Sequence, residues 1–514
     1  MNAMVRAGTG SMALLLGACA AVASVGCTAG GANDGASPVL DPLGGAGGGV
    51  DTAPPASGGT PAMVPGVSEG DNDFIVDPDE VPIPMENGPQ RPPLRRRGLI
   101  DKQVVCEGEA TTQVSGTVYI PSGQLPLYNA MVYVPETELG PLPQGASCSC
   151  EISGEPIVSA ITDASGHFVL ENVPVGADIP VVIQVGDWRR EINIGTVEPC
   201  VETVVPDGTL TLPKNQSEGN LPRIAVTTGV VDALECLVRK LGVSDSEFTD
   251  VRDGGRVQLF TGMDGTDSFA AGVGNGQPFP PAEALWGDLN ALKEYDIVLL
   301  SCEGEEPPAA DEPLSDVPNK TEAAMQAMFD YANLGGRIFA SHFHSIWFQR
   351  GPQPFPQIAS FTSVNDSEYS QITAQVVTGF PKGDAMQQWI VNTGTSPDGQ
   401  VPINGGAHTI LAENTDFAQR WLETSDPPSV QYISANTPLG ASDADQCGRV
   451  VLSDLHVSSG LVDGDFSNQR TEFPEGCITN TLSPQEAVLA FMLFDLSACI
   501  VPDNQAPVAP PVIR

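Results

Sequence analysis

The sequence predicts a multidomain protein: a disordered N-terminal tether, then an antiparallel β-sandwich, then an α/β domain with a mostly parallel sheet. The tether is predicted because residues 28–98 are rich in Gly, Pro and Ala and cannot supply a core. Short β-type segments separated by turn signals fill residues 99–213, a spacing typical of sandwiches. Strand and helix patterns alternate over residues 221–501, which indicates an α/β domain.

The first 27 residues predict a lipoprotein signal region. Arg6 precedes an apolar run that is too short to span a bilayer. Two cysteines stand in settings like the bacterial lipobox, since Cys19 ends LGAC and Cys27 ends SVGC. Acylation of either one would anchor the mature protein to a membrane. Neither cysteine is followed by the Asp that commonly retains lipoproteins at the inner membrane, so we expect an exported protein at the outer membrane or cell surface.

The charge balance limits the partners of the chain. It has 23 Lys and Arg against 64 Asp and Glu, a net charge of -41. Such a surface repels phosphate backbones, so nucleic acid is not expected as a partner. At the other end of the chain, residues 502–514 predict a Pro-rich tail.

Nine of the eleven cysteines lie beyond the lipobox region. Disulfides are expected in an exported chain, and an odd number leaves at least one thiol free or bonded between chains. The disulfide candidates in the α/β domain are Cys236, Cys302, Cys447 and Cys477. Cys236 is predicted to point about 150° away from the apolar stripe of its helix, and Cys302 ends a nearby strand, so a Cys236–Cys302 bridge is predicted. The alternative is a free Cys302 activated beside His342.

Two segments of the predicted sandwich carry a family resemblance. SGTVYIPSGQLPLYNAMVYV is followed by TDASGHFVLENVPVG, with Gly116, Asp163 and Phe168 among the matching positions. These segments resemble the carboxypeptidase regulatory-like family of prealbumin-type sandwiches. The stretch around Cys148 and Cys150 departs from the family pattern. The resemblance implies a module that spaces or binds and has no catalytic role.

In the α/β domain, the central stretch is NKTEAAMQAMFDYANLGGRIFASHFHSIWF, from Asn319 to Phe348. Its apolar positions recur at helical spacing and Gly335-Gly336 can end that helix. Arg337 to Ser341 then predicts a buried parallel strand. The closing helix is predicted from Ser483 as N-cap and Pro484 at its first position, with an amphipathic pattern. The Gly- and Pro-rich residues 350–407 are predicted to interrupt the alternation of strands and helices.

Polar side chains follow the predicted parallel strands, at the edge of the sheet where ligands usually bind. Two or three imidazoles with a carboxylate can hold a zinc-like ion or perform acid–base chemistry. We therefore predict a binding pocket, with a divalent metal as its candidate cofactor and His342, His344 and His456 as the candidate ligands. The pocket residues predicted from the sequence are Glu303, His342, His344, Asp454 and His456.

A second resemblance covers part of the α/β domain. YANLGGRIFASH, with Tyr331, Gly335, Gly336 and His342, resembles the trehalose-utilisation-protein-like branch of the class I glutamine-amidotransferase superfamily, and GRVVLSDLH resembles its late strand. The resemblance implies the fold. It does not imply glutaminase activity, since the elbow around His342 has no cysteine. With the lipobox and the sandwich, the whole resembles surface lipoproteins of myxobacteria.

Three functions remain open from the sequence. The first is an envelope lipoprotein whose α/β domain binds a carbohydrate or cell-wall component without demonstrated catalysis. The second is a secreted metal-dependent hydrolase that uses His342 and His456. The third is a passive surface spacer. The first is the primary prediction because the sheet edge carries histidines without an evident nucleophile–base pair.

Overall fold

The computed structural model describes most of the chain from Arg95 onward. The predicted signal region, both lipobox cysteines and nearly all of the tether therefore lie outside the described residues. The described residues belong to one compact unit, 88–514. They are the ranges 95–150, 152–304, 319–362, 369–457 and 471–513.

The first part of this unit is built from eight short strands in two four-stranded sheets. One sheet has the order β4-β1-β7 with β8 also paired to β1, and the other has the order β3-β2-β5-β6. The strands are β1 (Gln113–Tyr119), β2 (Met131–Pro135), β3 (Pro156–Ile161), β4 (His167–Glu171), β5 (Pro180–Val185), β6 (Trp188–Asn193), β7 (Glu202–Val204) and β8 (Leu210–Thr211).

The prediction of a purely antiparallel arrangement is wrong for β1. This strand pairs antiparallel with β4 but parallel with both β7 and β8. Parallel neighbours need a long crossover connection, and more than eighty residues separate Tyr119 from Glu202. Val114 of β1 and Val132 of β2 belong to one hydrophobic cluster, so the two sheets share a core.

The described residues of the second part form eleven strands. Nine of them form one sheet, in the order β10-β9-β11-β12-β19-β18-β17-β14-β15, and β13 pairs with β16. The strands are β9 (Ile224–Thr227), β10 (Val257–Phe260), β11 (Ile297–Leu300), β12 (Arg337–Ser341), β13 (Ala359–Phe361), β14 (Tyr369–Val376), β15 (Gln400–Gly406), β16 (Ile410–Glu413), β17 (Ala418–Ser425), β18 (Pro428–Thr437) and β19 (Gly448–Ser453).

Only half of this nine-stranded sheet is parallel. The pairings from β10 through β9, β11 and β12 to β19 are parallel, and those from β19 through β18, β17 and β14 to β15 are antiparallel. The prediction of a mostly parallel sheet is therefore wrong for the second half. Part of that half comes from residues 350–407, which the sequence predicted as an interruption and which contain β14 and β15.

The helices that the structure describes are mostly short. They are α1 (Leu234–Lys240), α2 (Glu283–Trp286), α3 (Leu289–Leu292), α4 (Glu322–Asn333), α5 (Ile346–Gln349), α6 (Pro381–Asn392) and α7 (Pro484–Ser497). The predicted end of α4 is confirmed, because Gly335 takes a φ of 100° there. The predicted cap of α7 is also confirmed, since Ser483 and Glu486 form a capping box.

The helix α7 is buried on all sides, so its predicted amphipathic character is wrong. Every residue from Gln485 to Leu496 is buried. Two aromatic contacts explain this burial, because Phe491 stacks on Tyr128 at 5.5 Å and Phe494 packs on Trp188 at 5.8 Å. The helix also contacts β12, β15 and β19. It therefore lies between the nine-stranded sheet and the first part of the unit, and needs apolar residues on every face.

Eight cysteines of the described residues form four disulfides, a number that fits an exported protein. The predicted Cys236–Cys302 bridge is wrong. Cys236 pairs with Cys477, and Cys302 is a buried free thiol. Cys236 is only 2% exposed, because α1 is buried on nearly all sides. Its apolar stripe therefore does not distinguish a buried face from an exposed one. The other bridges are Cys106–Cys200, Cys148–Cys447 and Cys150–Cys499.

The predicted Pro-rich tail is joined to the first part by hydrogen bonds. The N–H of Ile513 donates to the carbonyl of Pro156 at 2.8 Å, and the Ser159 hydroxyl donates to the carbonyl of Pro510 at 2.6 Å. Among the described residues, no helix combines the length and the apolar character that crossing a bilayer requires.

Candidate functional site

Three adjacent parallel strands bring three candidate ligands together. Cys302 lies just beyond β11, His342 directly follows β12, and His456 lies three residues beyond β19. These strands are neighbours in the order β11-β12-β19, so their carboxyl ends meet at one edge of the sheet. The three side chains are buried there, with exposures of 0%, 3% and 4% in chain order.

The backbone at His342 takes an uncommon conformation. Its φ is 41°, in the left-handed region that residues other than Gly rarely adopt. The chain turns sharply at this point, from β12 into a short 3₁₀ segment that leads to α5. The His342 ring stacks on the ring of Phe343, with 3.8 Å between centroids. Strained residues of this kind concentrate at functional sites.

Two potential ligand atoms approach the same nitrogen of His342. The Sγ of Cys302 lies 3.4 Å from its Nδ1, and the Nε2 of His456 lies 3.1 Å from that same Nδ1. All three atoms lie within 4.8 Å of one another. In tetrahedral zinc sites, two nitrogen ligands are about 3.4 Å apart and a sulfur and a nitrogen about 3.6 Å apart. The two contacts to Nδ1 of His342 are therefore close in length to two edges of such a tetrahedron.

This convergence is poorly explained by hydrogen bonding alone. An imidazole nitrogen carries either one N–H or one lone pair. Nδ1 of His342 can therefore make a good hydrogen bond with Cys302 or with His456, and one of the two contacts stays unsatisfied. A cation held by these residues would use the lone pair of each of the three atoms. The donor set of one thiolate and two imidazoles also suits zinc and similar transition metals.

Burial keeps the thiol and the imidazole uncharged. It raises the pKa of Cys302 well above the ordinary value, and the nearby Asp232 carboxylate adds to that effect. Burial also lowers the pKa of His342, with His456 acting in the same direction. The pair is thus a neutral thiol beside a neutral imidazole. Activated cysteine nucleophiles have the opposite character, a thiolate favoured by positive surroundings.

His344 does not join these ligands. Its Nε2 donates to the carbonyl of Ser301 at 2.9 Å, and its Nδ1 accepts from Nε1 of Trp347 at 2.9 Å. Both ring nitrogens are therefore occupied and the ring is neutral. Burial lowers its pKa to about 4. His344 is a packing residue in this structure, and its ring nitrogens bond Ser301 and Trp347 and not the other two predicted ligands.

Glu303 belongs to a buried ion pair next to His344. Its carboxylate pairs with the Lys320 ammonium, and its Oε1 accepts from the N–H of Met263 at 3.0 Å. Burial acts to raise the pKa of Glu303, but the paired Lys320 ammonium and the N–H of Met263 help to lower it below the ordinary value. Lys320 also lies over the Trp286 ring, 5.1 Å from its centroid. The geometry gives Glu303 a role in holding the sheet edge together.

Asp454 fixes a neighbouring loop. Its Oδ2 accepts from the N–H groups of Thr409 and Ile410, at 2.8 and 3.0 Å. Burial raises its pKa to about 6. The residue lies close to His456 in the chain, but its carboxylate is used by Thr409 and by Ile410, the first residue of β16.

Two residues of the site have roles that the sequence prediction missed. Cys302 was predicted as a disulfide partner or an activated nucleophile, and its place beside two histidines makes it a candidate ligand instead. Asp232, which no pattern singled out, accepts hydrogen bonds from the backbone N–H of Cys302 and of Val457. A signal for Cys302 existed, because it follows a parallel strand beside the strand that His342 follows. Asp232 lies in a loop and carried no comparable signal.

Comparisons with known proteins give weak similarities. No family model matches the sequence, and no curated protein matches it. A ThuA-like protein from Bacteroides uniformis is 12% identical, covering 47% of this chain and 86% of its own, with a TM-score of 0.24. A cytoplasmic protein from Salmonella typhimurium is 10% identical, covering 53% of this chain and 97% of its own, with a TM-score of 0.28. A cohesin–X-dockerin complex from Acetivibrio cellulolyticus is 18% identical, covering 28% of this chain and 88% of that chain, with a TM-score of 0.16. These values fix neither the fold nor the activity of this chain.

Proposed function

We propose that the α/β part of this protein binds a divalent transition-metal ion through Cys302, His342 and His456, and that the centre supports hydrolytic chemistry. The observation that carries the proposal is that three buried ligand atoms, one from each residue, lie within 4.8 Å of one another. Zinc sites with three protein ligands keep a fourth position for water, and the ion lowers the pKa of that water to about 7. Of the three functions left open by the sequence, we therefore prefer the metal-dependent hydrolase, with Cys302 as a ligand in addition to His342 and His456.

The rival chemistry at the same residues is nucleophilic attack by Cys302 with His342 as base. The Sγ–Nδ1 distance of 3.4 Å would allow it. The electrostatics do not favour it, because burial disfavours both the thiolate and the imidazolium. A bound divalent cation reverses this preference for the thiol, since metal-bound cysteines are thiolates. The same buried surroundings therefore suit a metal ligand better than a free nucleophile.

The setting that we propose for this centre is an envelope lipoprotein. The support is the pair of lipobox-like cysteines, Cys19 and Cys27, together with the four disulfides. A carbohydrate or cell-wall component is the proposed ligand class. Membrane fractionation tests the anchor: the double variant C19A/C27A should be released from membranes, whereas its retention would contradict lipid attachment.

Metal content tests the proposed centre. The full-length chain is purified without chelator, incubated with zinc and freed of unbound metal. We expect about one zinc per chain. The variants C302S, H342A and H456A should each lose most of it, because each removes one of three ligands. H167A is the matched control, since His167 lies exposed in β4.

Two outcomes would contradict the proposal. One is a wild-type chain that retains no zinc, cobalt or nickel after this treatment. The other is a set of ligand variants that retain as much metal as H167A, which would place the metal elsewhere on the acidic surface.

A further inference from the structure

One buried carboxylate contacts all three strand ends that carry the proposed ligands. Asp232 lies between β9 and α1 and is 0% exposed. Its Oδ2 accepts from the N–H of Cys302 at 2.9 Å and from the hydroxyl of Ser341, and its Oδ1 accepts from the N–H of Val457 at 2.7 Å. The three donors follow or end β11, β12 and β19.

Each donor is a ligand or the chain neighbour of one. Cys302 is itself a ligand, Ser341 immediately precedes His342, and Val457 immediately follows His456. Moving the carboxylate would therefore disturb the separations between all three ligand atoms. Hydrogen-bonded groups behind the ligands commonly fix ligand orientation at metal centres, and their loss lowers metal affinity about 10- to 100-fold.

The charge of Asp232 also complements the centre. A divalent cation with one thiolate and two neutral imidazoles carries a net charge of +1. A buried net charge is costly unless an opposite charge lies close by. The Asp232 carboxylate, hydrogen-bonded to the backbone of the thiolate ligand, supplies that opposite charge.

The chemistry of the three donors requires an acceptor without donors of its own. Two backbone N–H groups and one hydroxyl point at the two carboxylate oxygens, and an ionised carboxylate only accepts. In Asp232→Asn the amide NH₂ would face at least one of these donors. The isosteric change therefore disturbs both the charge and the hydrogen bonds, while the volume of the side chain is kept.

We propose that Asp232 is a positioning residue of the metal centre, which holds the Cys302, His342 and His456 strand ends in register and balances the charge of the bound ion. This inference rests on the proposed function. Cobalt(II) is the probe, because its visible spectrum reports both a thiolate ligand and the coordination geometry.

The test is a cobalt(II) titration of the full-length chain and of D232N, followed by its absorption spectrum. We expect the affinity of D232N for cobalt to fall about 10- to 100-fold, with weakened or shifted ligand-field bands. D296N is the matched control. Asp296 accepts from the N–H of Arg223 at the opposite end of β11, so D296N should leave both affinity and spectrum unchanged.

If Asp232 only stabilised the fold, D232N would be less stable, but the spectrum of the folded chain with cobalt bound would be unchanged. D232N with wild-type affinity and spectrum therefore overturns the proposal. A wild-type chain with no thiolate-to-cobalt band would overturn the proposed centre itself, and with it this inference.

A milder variant covers the case in which D232N does not fold. S341A removes one of the three donors and leaves the carboxylate in place. We expect a several-fold loss of cobalt affinity and a shifted spectrum. S345A is its control, because the Ser345 hydroxyl contacts Gln349 at 3.0 Å. Equal affinity and spectra for S341A, S345A and the wild type would also overturn the positioning role.

Discussion

At the scale of single residues, burial decides which ionisable groups carry charge around the site. His344 is held neutral, with a pKa lowered to about 4 by burial. Because its folded pKa lies below the unfolded value of 6.5, its contribution to stability is complete above pH 6.5 and is lost as the pH falls through 4. Burial has the opposite effect on the pKa of Glu235, and the pH dependence that follows can be measured with a single variant.

Glu235 lies in α1 with its carboxyl group buried. Its Oε2 has no hydrogen-bond partner within the described part of the chain, and burial raises its pKa to about 8. This value lies above the unfolded value of 4.5. The contribution of protonated Glu235 to stability is therefore complete below pH 4.5 and is lost as the pH rises through 8. E235Q should therefore be more stable than the wild type by a margin that grows to a few kcal/mol at pH 8.

Denaturant unfolding at pH 5, 6.5 and 8 measures this margin. E283Q supplies the control, because Glu283 is an exposed residue of α2. A margin for E235Q that does not change over this pH range would show that Glu235 is not protonated in the folded protein.

Part of the site could be predicted from the residue types and from their positions after predicted strands. His342 and His456 were predicted to share a pocket because each follows a parallel strand, and the structure brings them within 3.1 Å. The role of Cys302 was mistaken because the partner of a cysteine depends on long-range contacts. Cys236 meets Cys477 at a separation of 241 residues, which no local pattern can indicate.

At the scale of elements, local signals predicted the stretch that carries His342. The strand Arg337–Ser341 has the bounds that the sequence predicted. The Gly pair ends α4 because Gly335 accepts a positive φ. Residues 350–407 were predicted only as an interruption of the alternation, because Gly and Pro residues concealed β14, β15 and the helix α6. Each is held by distant partners, as β14 is by β17.

The start of α7 gives a prediction at this scale. The Ser483 hydroxyl accepts from the N–H of Glu486 at 3.2 Å, and Glu486 completes the capping box. S483A should therefore lower the free energy of unfolding by about 1 kcal/mol. S497A is the control at the other end of the helix, where the hydroxyl donates to the carbonyl of Leu493. Equal losses in denaturant unfolding of the two variants would argue against a capping contribution.

At the scale of the whole molecule, the two parts share a core. One hydrophobic cluster contains Val132 of β2, Leu299 of β11 and Phe491 of α7. The disulfides Cys148–Cys447 and Cys150–Cys499 join the same two parts covalently. Separate domains were expected because the sequence changes near residue 213 from β-type segments to alternating strands and helices. This pattern does not reveal the surface that the two parts share.

The shared core predicts one cooperative unfolding transition even when one of the two bridges between the parts is removed. Replacing Cys150 and Cys499 by Ser should cost about 2–4 kcal/mol, because the loop that this bridge closes together with Cys148–Cys447 opens in the unfolded chain. The parts should still unfold together, since α7 remains packed between them. Tryptophan fluorescence and far-UV circular dichroism should give coincident transitions.

Replacing Cys106 and Cys200 by Ser gives the control, a bridge within the first part. Two separated transitions in the C150S/C499S variant alone would mean that the disulfide, and not the shared core, couples the parts.

X-ray absorption at the zinc edge of the zinc-loaded full-length chain shows whether Cys302, His342 and His456 together hold a metal ion. We expect one sulfur neighbour at about 2.3 Å and two imidazole nitrogens among the neighbours at about 2.0–2.1 Å, in four-coordinate geometry. A shell made only of oxygen and nitrogen atoms, without the sulfur of Cys302, would contradict it.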